Sequence, residues 1–258
     1  MDFKKFYDEH SEYEARRSEE NENYHEYIQE INFKTEQLLR VIDRDRKSGS
    51  ILEVGCANGI LIDSISNKLN IKDEIFGIDI SEKNIQDAIQ RFPHINFFEG
   101  TIESFIESQS KVFDLVILSD IIEHVPNDLG FLKQTSKIAK QVVINLPLKK
   151  SYNNRNRNYG ESDTSGHLRC YSFEDGVNLI KKAGFKIVSF NRVISIRDNK
   201  GLFDIYKEKQ KNRLKTKPVA KRLFWNTFYY IKDNILLNSN FIYRRLYGEN
   251  IYCLVEKV

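Results

Sequence analysis

Three short stretches concentrate residues that can do chemistry. The first is Ile51–Gly59, ILEVGCANG, where an apolar run carrying Glu53 leads into the small residues Gly55, Cys56, Ala57 and Gly59. Small side chains let a backbone approach a ligand closely. Their spacing is not that of a dinucleotide fingerprint, because Ile60 stands where G-x-G-x-x-G needs its third glycine. A pyrophosphate cradle, and with it a nicotinamide dehydrogenase, is disfavoured. Taken alone, the segment also suits a tight strand–helix turn that binds nothing. The second is Asp79, followed by Ile80 and Ser81. An ionised carboxylate there can accept two hydrogen bonds from a ribose diol, while Ser81 can cap the helix that follows. The third is Phe113–Val125, FDLVILSDIIEHV, which delivers Ser119, Asp120, Glu123 and His124 to the same rim. Each of these four, taken singly, also reads as a cap or a satisfied rim residue.

The elements that must position these groups alternate regularly. Apolar runs at Ile51–Val54, Ile75–Ile78, Ile95–Phe98, Phe113–Leu118, Val142–Leu146, Lys186–Ile196 and Ile251–Val258 read as strands. Amphipathic stretches at Ile60–Leu69, Glu82–Arg91, Leu129–Ala139 and Phe173–Ala183 read as helices. Strands alternating with helices predict an α/β fold: a doubly wound, mostly parallel seven-stranded sheet. Such sheets bind ligands beyond the carboxyl ends of their strands, where all three stretches fall. Four segments are expected: an N-terminal helical part, 1–47, with its helix over 20–46; a core, 48–198; a basic, aromatic helical insertion, 199–249, helical around Val219–Leu237; and a last core strand, 250–258. The polar, irregular run 148–171 is too long for an idle connection.

In this order, ILEVGCANG, FGIDIS, INFFEGTIESF, FDLVILSDIIEHVPN and VVINLPL resemble the class I S-adenosylmethionine-dependent methyltransferases. The similarity is greatest to the small-molecule branch that includes ubiquinone-biosynthesis O-methyltransferases. It covers about 48–196 and the last strand. The resemblance implies a Rossmann-like methyltransferase fold and S-adenosyl-L-methionine as cofactor, leaving as S-adenosyl-L-homocysteine. It implies that Glu53, Gly55, Cys56, Ala57 and Gly59 form the cofactor loop, with Ala57 in place of the usual glycine. It puts Asp79 and Ile80 at the ribose. Thr101 and Ile102 fall at the adenine, and Glu103 can replace an acid the family often has at position 101. Ser119 and Asp120 fall near the methionine amino group, and His124 matches a recurrent histidine of the branch. The stretch GHLRCY, Gly166–Tyr171, resembles a segment that puts His167 and Arg169 beside the acceptor; Tyr159 shares that loop. An aliphatic hydroxyl acceptor calls for a base, whereas a phenol, carboxylate or amine needs less help, and His167, then His124, then Asp120 are the candidates.

Composition narrows the partners. Net charge is +3, too mild to demand a nucleic acid. The charge is uneven: residues 1–30 hold ten acids against four Lys and Arg, and 207–222 hold eight Lys and Arg against Glu208. The three cysteines form no CxxC pair, so no disulfide framework or metal site is indicated. The N-terminus lacks a signal-peptide core and no apolar run is long enough to cross a bilayer; with the unpaired cysteines this fits a cytoplasmic enzyme, and heavy use of Ile, Lys and Asn points to a bacterial one. The expected reaction is O- or N-methylation of a small molecule, for instance a sugar or a surface-polysaccharide precursor. The alternatives are an RNA methyltransferase using the basic, aromatic insertion and a catalytically idle binding protein. No Asn-Pro-Pro-Tyr motif or Pro-Cys nucleophile supports the nucleic-acid reading. The insertion can cover the acceptor, make a homodimer contact or lie on an anionic membrane. Tyr7, Tyr13 and Arg17 are within reach of the cofactor if the N-terminal part closes over it.

Overall fold

The computed structural model describes residues 3–9, 18–42, 49–160, 163–236 and 238–258. Seven strands form one sheet: β1 (Ile51–Val54), β2 (Ile75–Asp79), β3 (Asn96–Glu99), β4 (Phe113–Ser119), β5 (Ala139–Leu148), β6 (Phe185–Val193) and β7 (Glu249–Lys257). Their order is β3-β2-β1-β4-β5-β7-β6. The first five in this order run parallel to one another, and β7 runs antiparallel between β5 and β6. This is the doubly wound, seven-stranded sheet the alternation predicts. The order reverses between β1 and β4, the switch point where such sheets bind ligands.

The period of two along each strand sorts side chains onto two faces. Leu52, Val54, Val116, Leu118, Val142 and Ile144 pack against α5 (Ile102–Ser108), α6 (Asp128–Ile138) and α7 (Phe173–Lys182). Ile51, Leu115, Ile117 and Val143 pack against α2 (Tyr24–Val41) and α3 (Ile60–Lys68). The remaining core helix, α4 (Glu82–Arg91), lies beside β2 and β3. The helix starts are written in side chains: Ser81 accepts from Asn84 N–H, and Thr101 and Ser172 each form a reciprocal capping box.

Most boundaries fall within two residues of expectation, and three differ by more. The sixth strand stops at Val193 because Asp198 Oδ2 accepts the Ile194 N–H at 2.9 Å, folding Ser195–Asp198 into a helical turn, α8. Ala139 opens β5 rather than closing α6. The N-terminal helix spans Tyr24–Val41, and positions 43–46 of the expected helix lie outside the described residues. A short helix, α1 (Phe3–Glu9), precedes it. Residues 199–249 contain α9 (Lys200–Lys215), α10 (Val219–Ile231), a π-helical turn at Lys232–Leu236, and α11 (Asn240–Tyr247).

Candidate active site

A cavity of about 1060 Å³ opens beyond the carboxyl ends of β1, β2, β4 and β5 and is covered by α1, α2 and α9. The loop after β1 enters it with two residues in the left-handed region, Gly55 at φ 79° and Ala57 at φ 50°. At this φ a side chain at position 55 would be strained, and its Cβ, 2.4 Å from Ile121 Cδ1, would also have to displace that methyl. Ala57 carries the strain of its conformation because its N–H is held by Asp79 Oδ2 at 2.8 Å. The other carboxylate oxygen of Asp79 accepts from Ser81 N–H at 2.9 Å and from the Asn84 amide at 3.2 Å. Asp79 thus fixes the loop and keeps an acceptor position for a ligand.

Beneath this rim, Asp120 sits at φ 52° just past β4. It is held from three sides. Lys34 of α2 pairs with Oδ2 at 2.8 Å, the Asn145 amide donates to Oδ2 at 2.9 Å, and Asn145 O accepts the Asp120 N–H at 3.1 Å. Asn145 is fixed in turn by Asn250 of β7, 2.9 Å away. Burial works against the charge of Lys34, yet Asp120 and Glu30 outweigh it and hold its pKa above the usual lysine range. Two carboxyls in this layer are short of partners: Glu53 Oε2 and both Glu123 oxygens are buried without hydrogen bonds. Burial, and then Asp79, pushes Glu53 up to about 8, while Lys34 and the Ile62 N–H pull the other way. Burial, and then Asp120, raises Glu123 well above the carboxylate range.

The wall of the cavity at His124 is shaped by the loop 148–171, which contributes Lys149 and His167. Arg157 grips Asp163 with Nε to Oδ2 at 2.6 Å and Nη2 to Oδ1 at 2.7 Å, and Asp163 also accepts the Ser165 N–H at 3.0 Å. Against the cost of burial, these bonds hold Asp163 well below the carboxylate range. This knot presents Gly166 and His167. Gly166, at φ 72°, packs where a Cβ would come 3.0 Å from Phe6 and 3.1 Å from the Tyr7 hydroxyl. Its carbonyl lies 3.0 Å from His124 Nδ1, and the Tyr7 hydroxyl lies 2.9 Å from the same nitrogen. A carbonyl only accepts, so Nδ1 carries the proton and Nε2 keeps its lone pair. The His124 and His167 rings meet edge to face at 4.7 Å. Burial lowers both histidines, and His124 and Arg157 help bring His167 down to about 4. Glu123, His124 and His167 offer ligand atoms within 4.8 Å of one another, so among the described residues they are the group that could hold a cation.

Of the residues expected at the site, Glu53, Gly55, Cys56, Ala57, Asp79, Ile80, Thr101, Ile102, Glu103, Ser119, Asp120, His124 and His167 all line the cavity. Three do not. Gly59 caps α3 at φ 80° with its Cβ side against Phe97. Arg169 donates to the carbonyls of Val125 and Pro126, both at 2.6 Å, and so braces the turn after β4. Tyr159 packs beside Arg157, 5.0 Å from its guanidinium carbon. The Thr101 side chain is spent on capping α5. Tyr7 reaches the cavity; Tyr13 and Arg17 lie outside the described residues. Sequence reasoning missed Lys34, Asn145, Lys149 and Asn250. Lys149 lines the cavity with its pKa lowered by burial against the pull of Asp120 and Glu123. The one signal for it was its place directly after an apolar strand.

Residues 24–190 match the family described as "Methyltransferase domain". The chain belongs to that family. With its seven-stranded sheet it is a class I, S-adenosylmethionine-dependent member. Among curated relatives, this methyltransferase-family chain is 24% identical over 94 residues to a ubiquinone biosynthesis O-methyltransferase of Vibrio cholerae, covering 35% of this chain and 37% of that one. The ubiquinone biosynthesis O-methyltransferase of Ruegeria sp. is 28% identical over 120 residues, covering 43% and 47%. The chain therefore spans less than half the length of these relatives. The structure of the plantazolicin methyltransferase BpumL in complex with SAH covers 98% of this chain and 93% of that one, at 15% identity and a TM-score of 0.58. The [4+2]-cyclase SpnF covers 87% and 80%, at 12% identity and a TM-score of 0.55. These likenesses are of fold, and the cyclase among them shows that this fold alone does not set the reaction.

Proposed function

We propose that this chain transfers a methyl group from S-adenosylmethionine to a small-molecule acceptor held between His167 and the aromatic wall under α1 and α9. What supports this most is that the cofactor-loop residues and the His124–His167 pair face one enclosure of about 1060 Å³, large enough for two ligands side by side. The residues fit the cofactor. Asp79 has an acceptor position at the tip of β2, Gly55 and Ala57 bring backbone close, and Glu53 keeps an unsatisfied buried oxygen beneath them. When bound, the cofactor supplies a methyl carbon on a cationic sulfur, already activated for displacement.

The chain's own work is then to position the acceptor, exclude water and take a proton. His167 is neutral at physiological pH, because burial holds its pKa down at about 4. So weak a base gives little help to an aliphatic hydroxyl and suits an acceptor whose own proton is acidic, such as a phenol. The wall agrees: Tyr7, Phe33, Phe131, Tyr206 and Tyr252 line the cavity. These features favour an aromatic acceptor over the sugar that the sequence reading entertained. The cover of α1 and α9 favours a small molecule over RNA. The described residues contain no helix long and apolar enough to cross a membrane, and we read the enzyme as cytoplasmic.

The direct test is methyl transfer from labelled S-adenosylmethionine to parallel panels of phenols, sugar nucleotides and RNA. Transfer to phenols supports the reading. Transfer to RNA alone overturns it.

A further inference from the structure

Helix α10 presents an unusual surface. Val219, Leu223, Phe224 and Tyr230 are 72%, 70%, 66% and 67% exposed, and Phe228 and Ile231 are exposed beside them. On a helical projection these six residues occupy one half of α10. The opposite half carries the half-buried Trp225 and Tyr229, their rings 5.7 Å apart, with Lys217 5.0 Å over the indole. Phe241 of α11 is likewise 73% exposed. An apolar face of this kind on an otherwise ordinary surface marks an interaction site.

Charge identifies the occupant. Residues 207–245 hold eleven Lys and Arg against two acids, Glu208 and Asp233. Asp233 is buried and paired with Lys207 at 2.6 Å, so it offers no outward negative charge. Lys211, Arg213, Lys215, Lys221, Arg222 and Arg245 are exposed on α9, α10 and α11. We propose that α10 and α11 dock the protein on an anionic phospholipid surface, the apolar half lying among the acyl chains and the basic residues on the headgroups. Aliphatic Val219, Leu223 and Ile231 gain from lipid but not from stacking on nucleic-acid bases. A second copy of this chain would bring two equally basic segments face to face. No described helix is long and apolar enough to span the bilayer, so the segment lies along it. The same insertion lines the cavity through Tyr206 and Lys209, which places a cavity wall one helix away from the docked face.

The test is flotation of the full chain with phosphatidylcholine vesicles, with and without phosphatidylglycerol. The expected result is binding to the anionic vesicles only, reversed by high salt. The double variant Leu223→Asp/Phe224→Asp should lose that binding by about tenfold or more, and Lys215→Glu/Lys221→Glu should lose its dependence on phosphatidylglycerol. Unchanged S-adenosylhomocysteine affinity in both variants shows that they are folded. The proposal fails if the wild type ignores anionic vesicles, or if the Asp variants bind as the wild type does. It fails too if the face proves instead to hold RNA or a second copy, seen by RNA retention or by a dimer that the Asp variant dissociates, without vesicle binding. The readout is binding, so it stands apart from the proposed methyl transfer.

Discussion

His167 and Glu53 are pushed in opposite directions on the pH scale, and each shift makes a prediction. A histidine held at about 4 remains a free base through neutral pH. The acid limb of turnover should therefore fall near pH 4 rather than near the ordinary histidine value of about 6.5, and a pH–rate profile on the accepted substrate checks it. His167→Ala should lower kcat on a phenol by about tenfold or less, because so weak a base carries only part of the proton transfer, with S-adenosylhomocysteine affinity unchanged; wild-type turnover would remove the residue from the mechanism. Stability follows the same shift: the neutral ring's contribution is whole above about 6.5 and drains away as pH falls toward the folded value. Glu53 runs the other way. Its protonated form is the folded one up to about 8, so its contribution is whole below about 4.5 and is lost as pH rises. Glu53→Gln should match the wild type at low pH and exceed it at alkaline pH, by on the order of 1–3 kcal/mol in urea melts. Asp79→Ala removes a carboxylate that three donors already share, so it should weaken S-adenosylhomocysteine binding by about tenfold or more in calorimetry.

Helix α2 belongs to the active site as much as to the core. Its apolar side meets α3 through Leu38 and Leu39, while Lys34 reaches from it to Asp120. Lys34→Met should cost about 1–3 kcal/mol, since it leaves Asp120 beside Glu123 without its countercharge. A double-mutant cycle with Asp120→Asn should recover most of that loss; additivity would show that the pair is not coupled. This contact also marks where sequence reading stops. The helix α4 was legible end to end, because its stripe of apolar residues and the Ser81 cap are both local. The loop after β1, Asp79 and the rim after β4 were legible because each follows directly from a strand end. Lys34, Asn145 and Asn250 were not, because each gains its role from a partner far along the chain; Asn250 and Asn145 are 105 residues apart. Gly59, Tyr159 and Arg169 were read into the site from their loops, and only tertiary packing shows that they brace it from outside the cavity.

At the scale of the whole molecule, the cavity is assembled from the sheet, α1, α2 and the insertion together, so a ligand in it links parts that local structure leaves separate. Saturating S-adenosylhomocysteine at about a hundred times its Kd should add about 2.7 kcal/mol and raise Tm by roughly 5–10 °C; scanning calorimetry reads this directly, and no shift would count against the cofactor. The position of β7 has a consequence for how such a protein is made. It pairs with β5 on one side and β6 on the other, yet it follows both in the chain, beyond α9, α10, the π-helical turn and α11 of the insertion. Until residues 249–257 leave the ribosome, two strand edges stand open with nothing between them. Such edges invite pairing with the wrong chain. The nascent protein is therefore most vulnerable during synthesis of its own insertion, and slow translation there would cost more soluble product than an equal delay earlier in the message.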